Sequence, residues 1–185
     1  MKYFFLIIFL FLSGSQNAQK KFTEYDDTFK KYSKRFFGPG YDWKLFKAQS
    51  IAESGLTPDA VSPVGARGLM QLMPSTFAEI QSGNSEFKNI DDPVWNIAAG
   101  IYYDRQLYNK WKEIVEEEKF NFTFGSYNAG RGTILKAQEK AKAKELDHTE
   151  WENISLVAPE VPKWRHEETL NYVKRIKKFH HQLIK

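Results

Sequence analysis

The 185-residue sequence contains no cysteine. That excludes disulfides, thiolate nucleophiles, cysteine-ligated zinc, iron–sulfur clusters and acylation of an N-terminal cysteine. Strand signals are missing too: no segment alternates apolar and polar residues between turn residues for long enough to form a sheet. No apolar run reaches the roughly 20 residues needed to span a bilayer. The few histidines, His148, His166, His180 and His181, lack a His-Glu-x-x-His arrangement, and adjacent helical residues diverge by about 100°, so no metal site is expected. Gly130-Arg131-Gly132-Thr133 lacks the lysine and spacing of a phosphate loop and reads as a helix break. Neither sign of charge dominates: 27 basic against 23 acidic residues leave a formal +4, a weak pull toward anionic surroundings.

What is present is enough apolar material, 42 %, to bury the core of one ordinary domain, with an aromatic share of 16 % and five tryptophans. Tryptophan serves in cores and as a platform for flat ligand faces; most of Trp43, Trp95, Trp111, Trp151 and Trp164 are expected in the core. Lys2, the apolar run from Tyr3 to Leu12 and the small and polar residues up to Ala18 read as a secretory signal over residues 1–18, with Ser15 a rival cleavage site. The expectation is an exported chain, in the periplasm or envelope or secreted. It is expected not to be a lipoprotein and to keep no integral membrane segment once the signal is removed.

The remainder reads as all-α. A basic amphipathic segment, Phe22–Phe37, ends at Gly38-Pro39-Gly40 and forms an N-terminal extension over residues 19–40. Residues 41–185 form the main domain. Its first helix, Tyr41–Ser54, aligns Tyr41, Leu45, Ala48 and Ala52 on one stripe and stops at Gly55. Pro74 opens a short helix closing near Gly83, and Asp92-Pro93 opens a long one to about Trp111. Helices around Phe120–Ala129 and Thr133–Glu145 follow, then a stretch punctuated by Pro159 and Pro162, then a last helix from Arg165 to Leu183.

Glu53 is the first candidate for chemistry. It lies about 100° from the centre of the Tyr41/Leu45/Ala48/Ala52 stripe, at the edge of the buried face, with Gln49 one turn before it. A carboxyl group at such a boundary is partly desolvated, holds its proton to higher pH and can act as a general acid. The loop from Ser62 to Gly68 is rich in small residues, which permit close approach of backbone to a ligand. Tyr127 and Asn128 offer a phenol and an amide suited to hydrogen-bonding a sugar or an acid. Glu168 and Tyr172 stand four apart on one helical face.

Taken together, Ile51-Ala52-Glu53-Ser54-Gly55, Ser62-Pro63 with Gly65-Ala66-Arg67-Gly68-Leu69-Met70-Gln71-Leu72-Met73-Pro74-Ser75-Thr76, Tyr127-Asn128-Ala129-Gly130, and Glu168-Thr169 with Tyr172-Val173 resemble the four ordered motifs of family 1 lytic transglycosylases. Ser126 stands where the family usually has alanine, and no motif covers the stretch from Lys136 to Trp164. The resemblance implies a fold like that of goose-type lysozyme and non-hydrolytic cleavage of the MurNAc–GlcNAc bond of peptidoglycan, without a cofactor. It assigns Glu53 as the catalytic acid and base, with Ser54 beside it. It places Ser62, Gln71, Met73 and Thr76 along the sugar cleft, Tyr127 and Asn128 in the third motif with Tyr127 near the carboxyl group, and Glu168 and Tyr172 in the fourth.

Hydrolases of sugars ordinarily need two carboxyl groups about 5–10 Å apart. Glu53 is the only candidate the sequence offers, since Asp59 sits in a Pro-flanked turn. With one carboxyl group the resemblance implies that the substrate N-acetyl and 6-hydroxyl groups supply the rest, giving a 1,6-anhydro product. A lysozyme-like or chitinolytic hydrolase on the same fold, and a non-catalytic wall-binding protein, are the alternatives. Expected partners are glycan strands rather than nucleic acid, with the basic faces of the first and last helices turned to an anionic wall polymer or to solvent, and the chain is expected to be a monomer.

Overall fold

The computed structural model describes residues 22–185, so the expected signal over residues 1–18 lies outside the described residues. Eight α-helices are described: α1 (Asp26–Phe37), α2 (Lys44–Ser54), α3 (Pro74–Gly83), α4 (Pro93–Lys110), α5 (Glu116–Ala129), α6 (Arg131–Ala143), α7 (Trp151–Val157) and α8 (His166–Ile184). A single 3-10 turn, Ala158–Glu160, follows α7. The extended structure among the described residues consists of isolated antiparallel bridges, Val61 with Arg67 and Arg67 with Leu72, inside the loop between α2 and α3.

Local chemistry sets most boundaries. The Asp92 carboxylate caps α4, accepting the amide hydrogens of Val94 at 2.8 Å and Trp95 at 3.1 Å ahead of Pro93 in the first turn. Helix α2 begins at Lys44 rather than Tyr41, because Tyr41–Trp43 form the entering turn and Asp42 Oδ1 accepts the Lys44 amide hydrogen at 3.0 Å. It ends at Gly55, whose φ of 64° is the left-handed conformation that glycine adopts without strain. Helix α7 falls just before Pro159 and Pro162, where the sequence marks no helix; its seven residues bury Trp151, Ile154 and Val157. Trp151 fits there because α5 carries Gly125, where a Cβ would overlap the indole ring.

Two apolar clusters flank α2. One gathers α5 to α8 around Phe122, Ile134, Ile154 and Ile176. The other gathers α1, α3 and α4 with the loop residues Leu69, Met70 and Leu72. Ala48 and Ala52 face the first cluster and Phe46 the second. Helix α2 is therefore buried on nearly every side and carries Lys47, Gln49 and Ser50 inside the protein. Lys47 is neutralised by Asp26 of α1 at 2.6 Å.

Helix α1 is built into the second cluster, with Phe29, Tyr32 and Phe37 all buried. Around it Phe37, Tyr41, Phe46, Tyr108 and Phe120 stack and tilt on one another at centroid separations of 4.8–6.2 Å. The aromatic excess thus goes mainly into the core. Trp111, Trp151 and Trp164 are buried, while Trp43 and Trp95 are half-buried.

Candidate active site

Helix α2 delivers Glu53 one residue before its end, where burial on the flanks gives way to the loop, and the residue is half-buried. Helix α8 packs along α2 and brings up Tyr172, whose hydroxyl donates to Glu53 Oε1 at 2.5 Å across 119 residues of sequence. Arg175, one turn further along α8, donates from Nη2 to the Ala52 carbonyl oxygen beside Glu53. Burial pushes the Glu53 carboxyl group up from 4.5 to about 7, and the Tyr172 hydrogen bond and the Arg175 charge oppose the rise without cancelling it. A carboxyl group near 7 exists in both forms around neutrality, as a group that must first give and then take a proton requires.

The phenols nearby are fixed as donors. Burial, and then the charge of Glu53, hold both Tyr127 and Tyr172 well above the usual tyrosine range. Tyr127 on α5 donates to the Met70 carbonyl oxygen at 2.8 Å and packs against Tyr103 of α4 with ring centroids 5.3 Å apart. Glu53 therefore lies among Tyr127, Tyr172 and Arg175, drawn from α5 and α8.

The loop between α2 and α3 is fastened from below. Ser50 and Ser54 both donate to the Leu69 carbonyl oxygen at 2.9 Å, and Ser54 Oγ accepts the Thr57 amide hydrogen at 3.2 Å. Asn96, buried on α4, accepts the Met70 amide hydrogen at 2.8 Å and donates to the carbonyl oxygens of Arg67 and Ile90, both at 2.9 Å. Gly68, with φ of 76°, lies so close to Asn96 that an added Cβ would fall 2.5 Å from its Cγ, so this clamp requires glycine. Arg67 completes the attachment through an ion pair with Asp91 at 2.8 Å.

The sequence-derived residues divide accordingly. Ser54 works inside the clamp. Ser62 Oγ accepts the Ala66 amide hydrogen at 3.0 Å and shapes the loop tip. Gln71, at a φ of 46°, donates to the carbonyl oxygens of Gly68 at 2.9 Å and Ala60 at 3.2 Å. Met73, 39 % exposed, and half-buried Thr76 lie where the loop passes into α3. Exposed Asn128 accepts from Thr169 Oγ1 at 2.8 Å, and Thr169 accepts from Trp164 Nε1 at 2.9 Å, tying α5 to α8.

Glu168 and Tyr172 do not share an environment. Tyr172 is buried on Glu53, whereas Glu168, in the first turn of α8, is exposed and pairs with Arg165 at 2.9 Å.

Several contributors escape a motif reading. Arg175 reads from sequence as part of a basic surface stripe, yet it reaches the backbone beside Glu53. Asn96 and Ser50 hold the loop from within the core. Asp104 on α4 is completely buried and accepts from Gln49 Nε2 at 3.2 Å. The signal for Asp104 was available: Ile97, Ile101 and Tyr108 place it on an apolar stripe, where an acid is out of character. Among the described residues no group of His, Cys, Asp and Glu could hold a metal ion.

A membrane-bound lytic murein transglycosylase F of Photobacterium profundum is 29 % identical over 178 residues, spanning 90 % of this chain and 33 % of the relative. The protein of the same name from Vibrio cholerae serotype O1 is 30 % identical over 168 residues, 84 % of this chain and 30 % of the relative. The chain thus spans about a third of the length of these curated relatives. Among solved structures, the 70-kDa soluble lytic transglycosylase of Escherichia coli superposes with a TM-score of 0.64 at 27 % identity, over 84 % of this chain and 23 % of that one. The 70-kDa soluble lytic transglycosylase in complex with bulgecin A gives 0.68 at 26 % identity, over 88 % and 24 %. The all-helical fold is that of these lysozyme-like transglycosylases. Residues 28–149 match the Transglycosylase SLT domain, a span that holds Glu53, the clamped loop and Tyr127, and the chain belongs to that family.

Proposed function

We propose that this chain is a peptidoglycan lytic transglycosylase in which Glu53 is the single acid and base. The observation that carries the reading is the Glu53 carboxyl group at the end of a buried helix, accepting the Tyr172 hydroxyl beside an Arg175 bound to the Ala52 carbonyl oxygen, where burial pushes it up to about 7. Protonated Glu53 gives its proton to the glycosidic oxygen as the bond to MurNAc C1 breaks. The substrate N-acetyl oxygen stabilises the positive charge that develops at C1. Glu53, now ionised and steadied by Tyr172 and Arg175, takes the proton of the MurNAc 6-hydroxyl while O6 bonds to C1. The products are a free GlcNAc 4-hydroxyl end and a 1,6-anhydroMurNAc end; no water is consumed and Glu53 regains its proton.

Ser62, Gln71, Met73, Thr76 and Asn128 border the bound glycan in this reading, and Glu168 lies at its far edge. The substrate places the working protein in the cell envelope, outside the cytoplasmic membrane. Among the described residues no helix is long and apolar enough to cross a membrane.

Digestion of purified peptidoglycan with analysis of the released muropeptides tests the reading. Anhydro ends are expected, and Glu53→Gln is expected to abolish their release while retaining glycan binding. Reducing MurNAc ends would assign a hydrolase instead. Undiminished turnover by the variant would remove Glu53 from the chemistry.

A further inference from the structure

Among the described residues Asp104 is the one acidic side chain fully withdrawn from solvent, at 0 % exposure, and the reaction outlined above does not use it. Its neighbour across the α2–α4 contact is Gln49, also at 0 % exposure and one helical turn before Glu53. Gln49 Nε2 donates to Asp104 Oδ1 at 3.2 Å. The other two atoms of the pair, Gln49 Oε1 and Asp104 Oδ2, are buried and have no partner. If Asp104 is ionised, both are acceptors and neither can satisfy the other; a charged carboxylate oxygen sealed in the core without a donor is among the most costly arrangements a protein can hold. A single proton on Oδ2 resolves both deficits, because a carboxylic acid and a primary amide complement one another donor to acceptor at each end.

We propose that Asp104 is a neutral carboxylic acid whose Oδ2–H donates to Gln49 Oε1, so that a two-hydrogen-bond acid–amide pair positions the helix carrying Glu53. The surroundings favour the proton. Burial, and then the charge of Glu53, push Asp104 well above the usual carboxylate range; the Gln49 hydrogen bond opposes them, and no lysine or arginine is among the groups acting on it. The titratable groups that face this region are Glu53 from α2, Tyr103 from α4, Tyr127 from α5 and Tyr172 from α8. Burial raises all three phenols, so they stay neutral with Asp104 and leave Glu53 to titrate alone, with Arg175 of α8 the cation acting on it.

The pair resting on the Glu53 reading has a chemical consequence. The site contains a second carboxyl group, but neutral and closed off it can neither attack a sugar carbon nor accept a proton from water. Asp104 is then a positioning residue, and the two-carboxylate route to hydrolysis is shut by its protonation state.

Carbon-13 NMR of labelled side-chain carboxyl groups, recorded from pH 5 to pH 9 and assigned with Asp104→Asn, reads the proposal directly. Asp104 Cγ is expected to keep its protonated position through neutrality while Glu53 Cδ steps near pH 7. In Asp104→Asn, whose amide can form the same two hydrogen bonds, the Glu53 step is expected to move by less than about half a pH unit. A carboxylate signal for Asp104 at pH 7 would overturn the proposal, as would a fall of about one unit or more in the Glu53 step, since that is the effect of deleting a real negative charge.

For the positioning role, Asp104→Ala is expected to lower kcat about tenfold or more with KM little changed, and Asp104→Asn to restore it. Wild-type turnover by the alanine variant would remove that role, and if the variant does not fold the NMR measurement still decides the protonation state. The NMR readings need no substrate, so a failure to release anhydro ends would strike the proposed reaction and leave the Asp104 result standing.

Discussion

Replacing Glu53 by glutamine removes a group that holds its proton more tightly in the folded chain than in the unfolded one, where an ordinary value near 4.5 applies against about 7 in the site. Between these two values the folded state binds more protons, so stability falls as pH rises through the interval. The stabilising effect of the bound proton is complete below about pH 4.5 and gone above about pH 7.5. At about 1.4 kcal/mol per pH unit the full interval corresponds to roughly 3 kcal/mol, and partial solvent access to Glu53 reduces this to about 2–3 kcal/mol. Glutamine is neutral at every pH and carries no such dependence. The variant should therefore gain about 2–3 kcal/mol on the wild type between pH 4.5 and pH 8, or roughly 4–12 °C in Tm for a chain of this size. Urea unfolding of both proteins at the two pH values measures it. All other titrating groups are common to both proteins and drop out to first order. A stability difference that stays constant between the two pH values, or that turns against the variant at pH 8, would refute the claim that burial raises Glu53.

Tyr172→Phe deletes the phenol that donates to Glu53 Oε1. A hydrogen bond to a charged group contributes about 1.5–3 kcal/mol, so the alkaline limb of the pH–rate profile should move up by about one to two units, while the maximal rate falls as the ionised base loses support. A downward shift or an unmoved limb would contradict the direction assigned to that bond. Asn96→Ala leaves the Met70 amide and the Arg67 and Ile90 carbonyl groups without their shared partner. A loss of about 2–4 kcal/mol in urea unfolding is expected, with faster amide hydrogen exchange through residues 67–72; unchanged protection there would show that the loop is held elsewhere.

The helices of this chain were legible where a boundary has a local cause. Pro74, Gly83 and the Asp92-Pro93 pair mark the ends of α3 and the start of α4 in the residues themselves, and the structure places them there. Helix α7 was not legible, because seven residues with buried side chains at steps of three offer too short a period beside Pro159 and Pro162. What makes it a helix is the space over Gly125 that receives Trp151, a tertiary fact invisible to periodicity. The stripe drawn through Tyr41, Leu45, Ala48 and Ala52 marked one apolar face of α2. It could not reveal that the opposite face is buried too, since the partners of the polar Lys47, Gln49 and Ser50, namely Asp26, Asp104 and Leu69, arrive from elsewhere in the chain.

The same distinction separates two kinds of residue around Glu53. Glu53, Tyr127 and Tyr172 were found because each stands in a short motif beside its neighbours in sequence. The residues that support Glu53 from outside the motifs stand alone in sequence: Arg175 among lysines on α8 acts on its charge, Asp104 on an apolar stripe of α4 pairs with Gln49 on the helix that carries Glu53, and Asn96 holds the base of the loop. A motif points to a candidate group, whereas the pKa of that group depends on how far burial is offset by partners contributed from distant segments. Desolvation alone would hold Glu53 higher still, and a full ionic partnership would bring it down toward an ordinary carboxylate. A value near 7 requires burial at the end of α2 together with one phenol and one exposed guanidinium from α8, so the contact of α2 with α8 sets the protonation of Glu53 as much as it sets the fold.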